Sequence, residues 1–178
     1  MKKNIGFPQF QGSKENIDGW FFEKEGNWYF DICNKIHNGK IVEIGSFEGL
    51  SLSYIKDTII TNNNKIYSVE KHCRQRLIEN TKKWNIELIC KDSYQASLMF
   101  HDYFFDLIYI DANHSYAEVK KDIINWMPKL KNTGIIAGHD YDRGWPGVIK
   151  AVDEIFQKKF HLNGRNWAVS AKRIIKLM

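Results

Sequence analysis

The chain has 178 residues, 43% of them hydrophobic and 14% aromatic, enough apolar side chain for one buried core and too much for a disordered protein. Its formal net charge is +5, but the lysines are scattered with no long run of like charge, so the positive balance reads as a solvated surface and argues against a nucleic-acid partner. No apolar run approaches the roughly 18 residues of a membrane span, and Met1-Lys2-Lys3 is not followed by an apolar signal stretch, so a soluble, cytoplasmic protein is expected.

The first 26 residues carry Ile5, Phe7, Phe10, Trp20 and Phe21, too many large apolar side chains for a free tail. A segment over 1–26 that packs on the domain, or lids its ligand, is expected ahead of a domain over 27–178. Trp28, Tyr29, Ile32, Cys33 and Ile36 share one helical face, and Gly39 ends that helix. From Lys40 onward, short apolar runs alternate with stretches of helical period. Strands are expected over 41–45, 65–70, 86–90, 105–111 and 134–139, with a last one of unreadable direction over 166–172. Asn62-Asn63-Asn64 reads as a short turn. Ser115 and Glu118 form a capping box ahead of a helix bearing Val119, Ile123, Trp126, Met127 and Leu130. Pro146 starts another, with Val148, Val152, Ile155 and Phe156 as its buried stripe. This alternation specifies an α/β fold, a doubly wound, mostly parallel Rossmann-like sheet with helices on both faces. Cys33, Cys73 and Cys90 form no CxxC, sit beside apolar residues, and are expected as buried thiols with neither a disulfide nor zinc.

In such a sheet, ligands bind beyond the carboxyl ends of the strands, near the switch point. The first strand runs through Glu43-Ile44-Gly45-Ser46-Phe47-Glu48-Gly49 directly into a helix. Gly45 allows a tight turn against a ligand, and Gly49 lets the helix start close to the strand. Phe47 disfavours a pyrophosphate, and a carboxylate at Glu43 suits a cationic or amine-bearing ligand. Glu70, 21 residues after Gly49, ends the second strand with an acceptor for ribose hydroxyls, and Lys71 follows it. Asp92 and Ser93 end the third strand, within reach of an adenine edge.

With Asp111-Ala112-Asn113-His114-Ser115-Tyr116 and Gly134-Ile135-Ile136-Ala137-Gly138-His139-Asp140-Tyr141, these residues resemble the class I S-adenosylmethionine-dependent methyltransferases. The resemblance is to a small bacterial group with Glu-Ile-Gly-Ser, Asp-x-x-His-Ser-Tyr and His-Asp-Tyr motifs, the methyltransferase domain 24-like proteins. It covers about Trp20 to Phe160. It implies a seven-stranded sheet with one reversed terminal strand and S-adenosylmethionine as cofactor. It also implies methionine-end contacts from Glu43 to Ser46, ribose contacts from Glu70, and adenine contacts near Asp92 and Ser93. Gly49, Lys71 and Asp111 complete the expected cofactor set.

Two mechanisms stay open. In one, Asp111, His139 and Asp140 hold Mg²⁺ or another divalent ion that lowers the pKa of a substrate hydroxyl; the resemblance supports this for the two acids, while the imidazole favours a softer metal. In the other, His114 or His139 acts as a metal-free base. Asn113 stands where some relatives carry an acid, so no carboxylate base is available there. His37, His72, His101 and His161 lie outside the motifs and read as ordinary surface or core residues. The expected acceptor is a hydroxyl of a small molecule such as a sugar or secondary metabolite, with Trp20, Phe21, Tyr141 and Trp145 available to stack on it. A homodimer is compatible with this reading. A nicotinamide-dependent oxidoreductase would share the fold but lacks the third fingerprint glycine and a Tyr-x-x-x-Lys pair. A nucleic-acid methyltransferase lacks its Asn/Asp-Pro-Pro-aromatic motif, and a non-catalytic cofactor-binding module is the third alternative.

Overall fold

The structure is a computed structural model that describes residues 12–174. Ile5, Phe7 and Phe10 lie outside the described residues. The described chain opens with a hairpin of β1 (Gly12–Lys14) and β2 (Ile17–Gly19), followed by α1 (Glu23–Cys33). The order then runs β3 (Lys40–Ile44), α2 (Leu50–Ile55), α3 (Thr58–Thr61), β4 (Lys65–Val69), α4 (Gln75–Lys83), β5 (Glu87–Ile89) and α5 (Ser93–Ser97). It continues with β6 (Phe105–Ile110), α6 (Tyr116–Trp126), β7 (Leu130–Gly138), α7 (Pro146–Phe156), β8 (His161–Asn163), β9 (Asn166–Ser170) and α8 (Ala171–Ile174).

Seven strands form one sheet in the order β5-β4-β3-β6-β7-β9-β8. All neighbours from β5 to β7 pair in parallel, and β9 runs antiparallel to both β7 and β8. Side-chain alternation explains why both faces are covered. On β3, Val42 and Ile44 join the cluster under α6 and α7 with Ile108, Ile110, Trp126 and Phe156. Ile41 faces the opposite way, with Leu107, Tyr109, Tyr29, Leu52 and Ile55. The chain leaves β3 toward β4 on one side and enters β6 on the other, so the switch point lies between the carboxyl ends of β3 and β6.

The expected strands are present, but most stop one residue short, and the difference matters. Gly45, Glu70, Asp111 and His139 each lie just past a strand end, while their backbone N–H groups still donate to the neighbouring strand's Val69, Ile89, Ile44 and Ile110 carbonyls. Sheet pairing therefore fixes each backbone while releasing its side chain at the carboxyl edge. The segment expected as a strand over 166–172 turns helical at Ala171. Leu130, expected on a helix, begins β7.

Several local expectations are corrected. Helix α1 ends at Cys33, well before Gly39, because Asn62 and Asn64 are not a simple turn. Asn62 Nδ2 donates to the Asn34 and Ile36 carbonyls, and Asn64 Nδ2 to that of Ile36 at 2.8 Å, so two buried amides cap the helix from another loop. Ser115 makes no side-chain cap on α6; its N–H instead donates to Asn113 Oδ1. Only Cys33 is a buried thiol. Cys73 and Cys90 form a disulfide, Cα atoms 5.7 Å apart, that ties the loop after β4 to the residue following β5. Spacing and neighbours could not foresee this pair, because parallel pairing of β4 and β5 brings the two loops together. Among the described residues, no helix is long and apolar enough to cross a membrane.

Candidate active site

A cleft of about 1010 Å³ opens along the carboxyl edge of β3, β4, β5, β6 and β7. At its centre Gly45 adopts φ +87°, and a Cβ there would stand 2.1 Å from the Asp111 carbonyl oxygen. Glycine is therefore required both by conformation and by the close approach of β6. Phe47 lines the cleft, its ring 5.4 Å from that of Trp20 and 4.2 Å from the Arg74 guanidinium. Gly49, at φ +92°, precedes α2 and stands outside the cleft lining.

Glu43, expected among the cofactor contacts, sits behind the cleft wall. It is fully buried on the Ile41 face of β3, outside the cleft lining, where its Oε1 accepts a hydrogen bond from Ser51. Burial pushes its carboxyl up to about 8, against the opposing hydrogen bond from Ser51. The next residues, Gly45 and Ser46, form the wall instead.

On the β4–β5 side, Glu70 organises the edge. Its Oε2 accepts the Phe47 N–H at 3.1 Å and its Oε1 accepts the His72 N–H at 3.0 Å, so one carboxylate links the loops after β3 and β4. His72, read from sequence as ordinary, also lines the cleft, as does Lys71, whose Nζ lies 3.6 Å from Asp92 Oδ2. Asp92 Oδ1 caps α5 by accepting the Tyr94 N–H. The Ser93 hydroxyl is already committed: it donates to Asp122 and accepts from Trp126 Nε1. Asp122, absent from the sequence-based set, stands in the same wall; burial raises its carboxyl to about 6 against the Ser93 hydrogen bond. The disulfide binds these two loops together one or two residues from Lys71, Asp92 and Arg74.

The β6–β7 side is built differently, from buried charge. His139 Nδ1 lies 3.3 Å from Asp140 Oδ1 and 3.7 Å from Asp111 Oδ2. Its Nε2 lies 3.0 Å from Glu25 Oε2, at ion-pair distance without hydrogen-bond alignment. Arg165 Nε and Nη2 donate to the two Glu25 oxygens at 2.8 and 3.0 Å, and its Nη1 lies 3.5 Å from Asp140 Oδ1. His114 Nε2 sits 2.8 Å from Asp140 Oδ2, and its ring packs 4.1 Å from Trp145. Asp140 takes φ +58°, a left-handed conformation that Asp tolerates better than most residues, and this aims its carboxylate between the two histidines.

The cluster's charges set each other. Burial would discharge His139, but Asp111, Asp140 and Glu25 hold it protonated and push it up to about 10. Burial raises Asp111 to about 6 despite His139. Asp140 and Glu25 would also rise on burial; instead both histidines pull Asp140 far down, and His139 and Arg165 hold Glu25 at about 2. His114 is raised because contact with Asp140 outweighs its burial.

The sequence-predicted Asp111, His114, His139 and Asp140 thus meet, and all four line the cleft. Glu25 and Arg165 were missed. Glu25 sits at the third position of α1 and accepts the Phe22 N–H at 2.9 Å, but Phe22 is no Ser or Thr, so the motif that advertises a helix start is absent. Arg165 follows Gly164 in the β8–β9 turn, and only the reversed β9 carries it to the site. Tyr141 turns away from the cleft: its hydroxyl donates to Asp153 and its ring packs on Phe160. Trp20, Phe21 and Trp145 remain in the wall.

Asp111, His139 and Asp140 each offer a ligand atom, all within 4.8 Å of one another. Two carboxylates and an imidazole at the mouth of a cleft fit a divalent ion, with Mn²⁺, Fe²⁺ or Zn²⁺ better matched than Mg²⁺ to the nitrogen donor.

A family profile described as a methyltransferase domain matches residues 42–141. A protein of Acanthamoeba polyphaga mimivirus, called uncharacterized protein R132, is 28% identical over 171 residues, covering 85% of this chain and 75% of its own. CalS11, a TDP-rhamnose 3'-O-methyltransferase of calicheamicin biosynthesis, superposes with a TM-score of 0.64 at 14% identity, over 82% of this chain and 76% of its own. MycE, a methyltransferase of mycinamycin biosynthesis solved with Mg and SAH, gives 0.58 at 17% identity, over 85% of this chain and 49% of its own. At such identities the two structures show a shared fold.

Proposed function

This chain belongs to the methyltransferase domain family, within the class I S-adenosylmethionine-dependent methyltransferases, and on that premise we propose that it methylates a hydroxyl oxygen of a small molecule such as a sugar or secondary metabolite, assisted by a divalent ion. The observation that carries this reading is the cleft itself, with the Gly45-Ser46 turn and Glu70 at one end and the Asp111-His114-His139-Asp140 cluster at the other. Two of the similar structures support it by their chemistry: CalS11 is an O-methyltransferase of a sugar nucleotide, and MycE was solved with Mg and SAH.

In this reading the turn at Gly45-Ser46 receives the methionine end of S-adenosylmethionine, Glu70 the ribose, and Asp92 with Asp122 the adenine edge. Glu43 acts from beneath, by packing against Ser51. Asp111 places negative charge where the sulfonium would lie. The cofactor supplies an electrophilic methyl group, whose carbon–sulfur bond breaks with its electron pair left on sulfur as the carbon–oxygen bond forms. Asp111, His139 and Asp140 would hold the ion, whose Lewis acidity makes the acceptor hydroxyl easier to deprotonate. His114, exposed to the cleft and oriented by Asp140, takes the proton. Trp20, Phe21 and Trp145 exclude water and give the acceptor flat surfaces, and the segment from Gly19 to Phe22 lids that end.

Calorimetric titration with S-adenosylmethionine and with NADH, followed by release of S-adenosylhomocysteine across a panel of sugar, sugar-nucleotide and phenolic acceptors, tests the proposal. Tight S-adenosylmethionine binding, turnover on a hydroxyl acceptor, and loss of turnover in EDTA with recovery in Mn²⁺ or Mg²⁺ are expected. Binding of NADH alone would overturn the methyltransferase reading. Turnover indifferent to EDTA would remove the ion and leave His114 as the base.

A further inference from the structure

We propose that Glu25, from the first helix, is a positioning residue for His139: it holds the imidazole with Nε2 inward, so that Nδ1 is presented to Asp111 and Asp140 at the cleft. The inference rests on the reading of Asp111, His139 and Asp140 as an ion site.

Glu25 is 3% exposed, yet it is a carboxylate on an element that contributes no strand end to the sheet. Its four polar neighbours account for that burial. Phe22 N–H and Arg165 Nη2 donate to Oε2, Arg165 Nε donates to Oε1, and His139 Nε2 lies 3.0 Å from Oε2. Arg165 and the helix start fix the carboxylate first, so its position does not depend on His139. The ring it faces is 98% buried in its side chain and packs against Phe21 with centroids 4.8 Å apart. Packing alone restricts where the ring lies but leaves two choices that differ by a half turn about its last torsion. In one, Nε2 meets Glu25 and Nδ1 meets the acid pair; in the other, carbon atoms face both.

A buried carboxylate on the far nitrogen selects the first choice. The arrangement matches the carboxylate–histidine pairs found behind metal sites, in which the outer carboxylate fixes the orientation of the ring. Arg165 has a matching part: its two N–H groups hold the Glu25 carboxylate in place beside the buried ring.

The test compares the wild type with Glu25→Gln and Glu25→Asp, first establishing by S-adenosylmethionine titration and circular dichroism that each variant is folded. Mn²⁺ is the probe, its affinity read by electron paramagnetic resonance, and the Nε2–H of His139 is followed by ¹H–¹⁵N nuclear magnetic resonance without metal. Glu25→Gln is expected to weaken Mn²⁺ binding on the order of 10–100-fold and to shift the Nε2–H signal toward that of an unpaired imidazole. Glu25→Asp should recover part of both, and S-adenosylmethionine affinity should be little changed in either variant. If a folded Glu25→Gln protein keeps wild-type Mn²⁺ affinity and an unshifted Nε2–H signal, the proposal is overturned. If the wild type itself does not bind Mn²⁺, the ion reading fails, and the nuclear magnetic resonance signal alone decides for or against Glu25.

Discussion

The two ends of the cleft are made of different material. At the β3–β5 end the wall carries a glycine turn and partly exposed polar groups: Gly45 and Ser46, Glu70 bound to two main-chain N–H groups, Asp92 capping α5. At the β6–β7 end it is a knot of buried side-chain charge, in which Glu25, Asp111 and Asp140 face His114, His139 and Arg165. The first kind of wall suits a ligand of fixed shape, because its carboxylates are pinned by hydrogen bonds to the main chain. The second suits chemistry, because low-dielectric surroundings make each charge strong and its loss costly. In the proposed function, recognition and reactivity fall on opposite sides of the switch point.

Breaking one end while sparing the other tests this division. The largest effect is expected from Arg165→Met, which leaves Glu25 buried beside His139 without its guanidinium. A loss of about 3–5 kcal/mol in urea unfolding is expected, with S-adenosylmethionine affinity nearly unchanged where the variant is folded. Equal loss of cofactor affinity would show that the ends are not separable. The converse variant, Cys73→Ser with Cys90→Ser, opens a closure of 17 residues at the other end. It should cost about 3 kcal/mol, and calorimetry should show weaker S-adenosylmethionine binding with Mn²⁺ affinity retained.

The smallest effect concerns Glu43, beneath the boundary. Burial lifts its carboxyl to about 8 in the folded protein, so between its ordinary value of 4.5 and about 8 the native state holds a proton that the unfolded chain has released. Stability from this group therefore falls as pH rises through that window and is level above it. Glu43→Gln should flatten the difference, seen as a shallower dependence of the urea midpoint between pH 5 and pH 8. An identical slope in the two proteins would mean that Glu43 is ionised where it lies.

The same contrast explains what could be read from the chain beforehand. The turn from β3 into α2 was legible because its signals are local: a strand, Gly45, Gly49 and a helix lie within a dozen residues. Asp111, His114, His139 and Asp140 were legible for the same reason, since each follows an apolar run. Local reading failed wherever a partner is distant. Glu43 looked like a ligand contact because spacing does not tell which face of β3 a side chain takes relative to the cleft. The Cys73–Cys90 pair, the capping amides Asn62 and Asn64, and the Glu25–Arg165 pair depend on strand order, which no window of sequence contains.

Glu25 and Arg165 stand 140 positions apart, and the second rides on a strand that inserts between β7 and β8. During synthesis the chain reaches the whole β3–β5 wall long before β9 exists. Until β9 pairs, Glu25 and His139 lack Arg165, and β7 presents an open edge. Arrival of β9 closes that edge and completes the charged cluster in one event. The charged cluster is therefore complete only when β9 has paired with β7, and that same pairing closes the β7 edge of the sheet.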